Sequence, residues 1–321
     1  MNYLSVCSGI EAATVAWHHM GWKPVGFSEI EKFPSQVLAH HYPQVTNFGD
    51  MTKYKEWQIN DPIGLLVGGT PCQSFSVAGL RKGLEDPRGN LALTYVGILD
   101  HFRPKWFIWE NVPGVLSSGG GRDFGSFLGA LGELRYGWSY RVLDAQYFGV
   151  AQRRRRVFVV GHFGNWKPTA EVLFESESLS RNTKSSRKKE QDDSYKLKVG
   201  TITKSWGKGL GHNGQDDMAV IHPISFPAAM SGTQAAFSNN LSLALQAKNR
   251  TAIACRNMKA RRLTPKECER LQGFPDDYTN IPNAADTNRY KALGNSMAVP
   301  VMRWIGERIN SHETMCSTAT L

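Results

Sequence analysis

The sequence predicts an α/β protein: a parallel sheet covered on both faces, interrupted by a small irregular domain. Three observations predict it. Strand-like and helix-like segments alternate through the first 162 residues, and such alternation builds parallel sheets with helices on both sides. The alternation stops there, and regular structure returns near residue 262. The net charge of +10 is also segregated: residues 151–262 hold 20 Lys+Arg against 8 Asp+Glu, a balance of +12, while the remainder balances to −2. Basic charge gathered in one stretch is an electrostatic footprint for polyanions.

In chain order, strands are expected at 3–7, 25–28, 65–69, 106–109, 141–143 and 157–161. Amphipathic helices are expected between them at 10–20, 33–41, 91–102 and 124–135. Residues 175–198 hold almost no apolar side chains and read as a linker or long loop. Residues 199–256 are rich in Gly, Ser, Asn and Thr, with strand-like pieces such as 218–221, and read as a small irregular domain. Thr264, Pro265 and Glu267 spell a capping box at a helix start. A last amphipathic helix is expected at 299–309.

Composition narrows the function classes. With 41% hydrophobic and 21% charged residues among 321, the chain is neither disordered nor fibrous. No apolar run approaches the ~18 residues of a membrane span, and the N-terminus lacks the basic region of a signal peptide. Five cysteines without a C-x-x-C pair argue against a disulfide framework or zinc cluster and for a reducing, cytoplasmic setting. No metal site is expected.

Parallel sheets bind ligands beyond the carboxyl ends of their strands, so chemistry is sought there. Cys7-Ser8-Gly9-Ile10-Glu11 joins the first strand to a helix through a small-residue turn. Glu11 at that helix start would repel a pyrophosphate, but a cofactor without phosphates tolerates it. Glu29, followed by Ile30, comes after the second strand and can accept hydrogen bonds from ribose hydroxyls. Asp50, followed by Met51, follows the same logic for an adenine amino group, or is an exposed turn carboxylate. Cys72 stands in the turn Gly68-Gly69-Thr70-Pro71-Cys72-Gln73-Ser74-Phe75-Ser76 beyond the third strand, where a thiolate would be a soft nucleophile. Cys7 and Cys268 read instead as small core residues. Residues 74–90 form a polar, glycine-bearing loop of lid length. Glu110 ends the fourth strand among apolar neighbours, a setting suited to proton donation. Gln152-Arg153-Arg154-Arg155-Arg156 leads into a strand, and alternation would point Arg154 and Arg156 together. Gly294-Asn295-Ser296 is a turn before the last helix.

These segments, in this order, resemble the DNA cytosine carbon-5 methyltransferases of bacteria and phages. The specific matches are Pro71-Cys72-Gln73, Glu110-Asn111-Val112, Gln152–Arg156, Arg262-Leu263-Thr264 with Gln272-Gly273-Phe274-Pro275, and Gly294-Asn295-Ser296. The resemblance implies a class I S-adenosylmethionine-dependent methyltransferase sheet, Rossmann-like, from 1–164 and 261–321. A β-containing target-recognition domain would be inserted at 165–260. It implies Cys72 as nucleophile, Glu110 as the acid at cytosine, and Arg154 and Arg156 as catalytic arginines, with Arg156 contacting the base. Cys7, Ser8, Gly9, Ile10, Glu29, Ile30, Asp50, Met51, Pro71, Asn295 and Ser296 match the cofactor site. Gln73, Ser76, Arg153, Lys204 and Lys208 are the expected DNA contacts. Family members commonly carry an Asp-leading, glycine-richer first motif, where this chain has Ser5 and Glu11, and Arg155 stands where many carry an acid. The expected partner is duplex DNA, with no membrane, a monomeric state, and pairing with a restriction endonuclease left open. The rival readings are a tRNA cytosine-5 methyltransferase, a non-catalytic DNA-binding relative, and an NAD-dependent oxidoreductase. The last is disfavoured by Glu11 and the missing G-x-G-x-x-G.

Overall fold

A computed structural model describes residues 1–71, 91–174 and 263–318, and the backbone of three short strands at 225–227, 251–254 and 260–261. The strands are β1 (Asn2–Val6), β2 (Lys23–Ser28), β3 (Leu65–Gly68), β4 (Trp106–Asn111), β5 (Tyr136–Asp144), β6 (Arg155–Phe163), β7 (Ser225–Pro227), β8 (Thr251–Ala254) and β9 (Ala260–Arg261). The helices are α1 (Ala12–Trp17), α2 (Lys32–His41), α3 (Leu91–Phe102), α4 (Arg122–Glu133), α5 (Lys167–Leu173), α6 (Pro265–Gln272), α7 (Asp286–Asn295) and α8 (Val299–Thr318). The expected loop at 74–90, linker at 175–198 and strand at 218–221 lie outside the described residues.

The chain divides into two units. The first comprises residues 1–143, 155–179 and 297–321; the second comprises 144–154 and 180–296. The first is built on a six-stranded sheet of order β2-β1-β3-β4-β6-β5. β1 pairs in parallel with β2 and β3, and β3 with β4. The chain leaves β1 for opposite sides of the sheet, so the crevice at the carboxyl ends of β1 and β3 is the topological switch point. β6 runs antiparallel to β4, which corrects the expectation of an all-parallel sheet. Only residues 145–154 separate β5 from β6, and a parallel crossover takes a dozen or more residues.

The core lies on the faces of β3 and β4, whose residues are buried throughout. Tyr95 on α3 is fully buried, and its hydroxyl donates to the carbonyls of Leu66 (3.2 Å) and Ile108 (3.0 Å), tying the helix to both strands. Burying an aromatic body with its polar tip satisfied is the favourable form of such packing. α8 packs on α1, where Trp17 Nε1 donates to the Met302 carbonyl at 2.8 Å. α8 runs nine residues past the expected end. α1 is shorter than expected: it begins after Glu11 and gives way at His18 to a single 3-10 turn. In the second unit the Thr264 capping box is present with Pro265 in the first turn of α6, as its sequence predicts. β7, β8 and β9 form a small antiparallel sheet there.

Candidate active site

The turn after β1 is built by alternating positive φ: Cys7 at 49°, Gly9 at 56° and Glu11 at 65°. Non-glycine residues enter this region only where their surroundings over-determine them. Here Glu11 does so. Its carboxylate accepts from Ser5 Oγ (2.9 Å), Thr14 N (3.3 Å) and Thr14 Oγ1 (3.2 Å), joining the strand to the first turn of α1 as an N-cap. Glu11 is 1% exposed, and burial pushes its carboxyl from an ordinary 4.5 up to about 7. The sequence places Glu11 against a cofactor's phosphates; in the structure it is turned inward to close the turn.

The turn is held to the end of β2. Ser8 N donates to the Ser28 carbonyl, and Gly9 N donates to Glu29 Oε2 at 2.8 Å. The other Glu29 oxygen accepts from Glu31 N at 2.6 Å. Burial raises the Glu29 pKa, against these hydrogen bonds. Ile30 beside it is 74% exposed, an apolar side chain offered to solvent. Asp50 accepts from Thr52 N and Thr52 Oγ1, both at 2.9 Å, and caps a 3-10 segment. Met51 is buried with its sulfur 3.4 Å from Cys7 Sγ. Burial pushes the Cys7 thiol up to about 12, which fits the small-core-residue reading. Ile10 is fully buried.

At the ends of β3 and β4 the chain is clamped for the segment that follows. Trp109 Nε1 donates to Thr70 Oγ1 and Asn111 Nδ2 donates to the Thr70 carbonyl, both at 3.0 Å. Pro71 is exposed and is the last described residue before Cys72; Cys72, Gln73 and Ser76 lie outside the described residues. Glu110, 9% exposed, pairs with Arg156 Nε at 3.1 Å. The register explains this: Glu110 lies opposite Phe158, so Arg156 is its diagonal neighbour on the same sheet face. A Cβ on Gly69 would come 2.8 Å from Glu110 Oε2, so only glycine leaves that carboxylate its place. The apolar setting expected for Glu110 is thus completed by a cation.

In the second unit, a segment at 152–154 meets two others, at 271–272 and 293–296, that lie more than a hundred residues further along the chain. Gln152 Nε2 donates to the Leu271 carbonyl (2.9 Å) and to Gln272 Oε1 (3.3 Å). Gln272 Nε2 donates to the Leu293 carbonyl at 2.6 Å. Arg154 Nη2 donates to the carbonyls of Gly294 (3.1 Å) and Ser296 (2.8 Å). Ser296 is buried and Asn295 exposed. Arg154 and Arg156 therefore do not point together. Arg154 precedes β6, is 2% exposed and is spent on carbonyls, whereas Arg153 is exposed. Lys204 and Lys208 lie outside the described residues. Thr70, Asp144 and Gln272 were not singled out from the sequence. Asp144 Oδ1 accepts from Arg154 N at 2.9 Å, and only long-range contacts reveal its part. The Gln272-Gly273-Phe274-Pro275 motif is the sequence signal for Gln272.

The C-5 cytosine-specific DNA methylase family matches residues 1–311. The chain belongs to that family. A relative from Escherichia phage P1, named a DNA N-6-adenine-methyltransferase, is 37% identical over 96% of this chain, which spans 61% of that relative's length. The type II methyltransferase M.SsoII of Shigella sonnei is 32% identical over 96% of this chain and 79% of its own. The Dnmt2 methyltransferase of S. pombe shares the fold with a TM-score of 0.65 at 18% identity, covering 96% of this chain and 98% of that one. This chain is thus a DNA methyltransferase by family, with the Rossmann-like class I sheet, and its family's methyl donor is S-adenosylmethionine. The residues present fit that donor. Glu29 sets a carboxylate at the end of β2, Ile30 beside it leaves an apolar side chain exposed, and a Cβ at Gly9 would meet nothing within 4 Å. Among the described residues no cluster suits a metal ion, and no helix is long and apolar enough to cross a membrane.

Proposed function

We propose that this enzyme methylates carbon 5 of a target cytosine in duplex DNA, with Cys72 as nucleophile. The observation that carries the reading is Glu110. It is a buried carboxylate at the carboxyl end of β4, packed on Gly69 at the start of the turn that delivers Cys72, and paired with Arg156. Carbon 5 of cytosine is a poor nucleophile. Addition of the Cys72 thiolate at carbon 6 makes the ring enamine-like. Glu110 protonates or hydrogen-bonds ring nitrogen 3 and draws off the developing charge, while Arg156 orients Glu110 and the base. S-adenosylmethionine supplies an electrophilic methyl on a sulfonium. Loss of the carbon-5 proton and expulsion of Cys72 complete the step. A thiol cannot reach carbon 6 in a stacked duplex, so the cytosine is flipped out.

Cofactor contacts are assigned to Ser8, Gly9, Glu29, Ile30, Asp50, Pro71 and Asn295, with Cys7, Ile10, Met51 and Ser296 shaping the site from within. Arg154 acts by positioning, since its guanidinium is bonded to Gly294 and Ser296 carbonyls. Residues 165–260 are assigned target recognition and the rest catalysis. The enzyme works as a cytoplasmic monomer on bacterial or phage DNA. DNA contacts fall to Gln73, Ser76, Arg153, Lys204 and Lys208. Neutralising Lys204 and Lys208 should flatten the slope of log affinity against log salt by about 0.9 for each true phosphate contact, on target and non-target DNA alike.

Duplex DNA carrying 5-fluorocytosine in the target decides the chemistry, because fluorine cannot leave as a proton does. The chain should form a covalent adduct that Cys72→Ala abolishes and Cys268→Ala does not. An adduct surviving in Cys72→Ala would overturn the assignment.

A further inference from the structure

At the amino end of β4, the opposite end of that strand from Glu110, a second set of reactive groups meets. Cys316 Sγ lies 3.4 Å from His312 Nε2, one turn earlier on α8. His312 Nδ1 lies 3.1 Å from Glu171 Oε2 on α5. Glu171 fixes the tautomer: an N–H at Nδ1 bonds the carboxylate and leaves the Nε2 lone pair for the thiol. The imidazole is walled by Trp106, edge-on with centroids 5.7 Å apart. The two helices are docked independently of the triad, since Arg308 donates to the carbonyls of Glu171, Val172 and Phe174. Cys316 itself is exposed, unlike buried Cys268. A nucleophile within reach of a base, with the base oriented by a third group from another element, is the arrangement that activates a thiol.

We propose that Cys316, His312 and Glu171 form a thiol-modification site that takes small-molecule disulfides. The Cys316 proton passes to His312 Nε2, and the sulfur attacks one sulfur of the disulfide. A new S–S bond forms to Cys316 as the reagent's S–S bond breaks. The departing half takes the proton from His312 as a free thiol. Cys316 is oxidised to the mixed disulfide and the reagent's other half is reduced. Trp106 and Glu110 are four residues apart on β4, about 13 Å at strand rise, so the reaction leaves methyl transfer intact.

The test uses the full chain with two probes, Ellman's disulfide and oxidised glutathione, and maps modified peptides by mass spectrometry over time. Cys316 should be modified faster than Cys7 and Cys268. His312→Gln should slow its modification at least ~10-fold, below the ~10²–10⁴ that a positioned base contributes in catalysis. Glu171→Gln, which removes only the orienting charge at an exposed position, should slow it by a smaller factor. Cys316→Ser should remove that peptide's modification and leave methylation unchanged. Modification of Cys316 at the same rate in both the His312 and Glu171 variants would overturn the proposal, as would its absence from the modified peptides.

Discussion

Arg154 and Arg156 are separated by one residue and are stabilised in opposite ways. Arg156, in the sheet unit, meets a carboxylate, Glu110, 3.1 Å away. Arg154, in the second unit, meets the carbonyls of Gly294 and Ser296. The first region keeps opposite charges paired at a strand end, beside the turn that leads to Cys72. The second spends its charge on backbone, closing gaps between segments far apart in sequence. Buried charge can therefore serve reactivity or architecture within one short run, and the partner decides which. The two regions should answer mutation differently: the sheet edge in rate, the carbonyl cradle in stability.

The largest effect is expected at the sheet edge. Glu110→Gln keeps the shape and removes the proton, and should slow single-turnover methyl transfer by ~10²–10⁴-fold at saturating DNA, with binding largely intact. Arg156→Ala should act in the same direction. If both variants lost affinity and kept the rate, the contrast with Arg154 would break. Next in size is Arg154→Ala. It takes a donor from two buried carbonyls, and a buried carbonyl left unsatisfied costs about 1–3 kcal/mol. The loss should appear as a lower denaturant midpoint. A variant with unaltered stability and reduced rate would move Arg154 into the reacting site.

The contrast also shows what local sequence carries. The positions of Glu29 and Glu110 after strands follow from strand–turn spacing, because side-chain period and turn chemistry are local. The pairing of Arg154 with Arg156 failed because alternation holds only inside a strand, and β6 begins at Arg155. The reversal of β6 was within reach of the sequence, since so short a segment from β5 leaves no room for a crossover helix. The meeting of Gln152 with Gln272 was not, since those residues lie 120 apart in sequence. Their motifs could be recognised one by one, but their hydrogen bonds belong to the tertiary fold. The inward turn of Glu11 is hidden from sequence for a related reason: at φ 65° a side chain leaves the face that a helix start would give it.

The smallest effect sharpens the comparison at a third buried charge. Glu11 is held by hydroxyl and amide donors from Ser5 and Thr14, and burial raises it from an ordinary 4.5 to about 7. The folded chain therefore binds this proton more tightly than the unfolded chain does. The resulting stability is fully present below about pH 4.5 and is lost as pH rises through about 7. Glu29 is raised in the same direction and adds to the slope, so the informative quantity is the difference between wild type and variant. Glu11→Gln keeps an oxygen acceptor for Thr14 and removes the ionisation. Its urea midpoint should lose less than the wild-type midpoint between about pH 5 and pH 8. Equal pH slopes in the two proteins would mean that Ser5 and Thr14 hold the ionised carboxylate as well as a cation would.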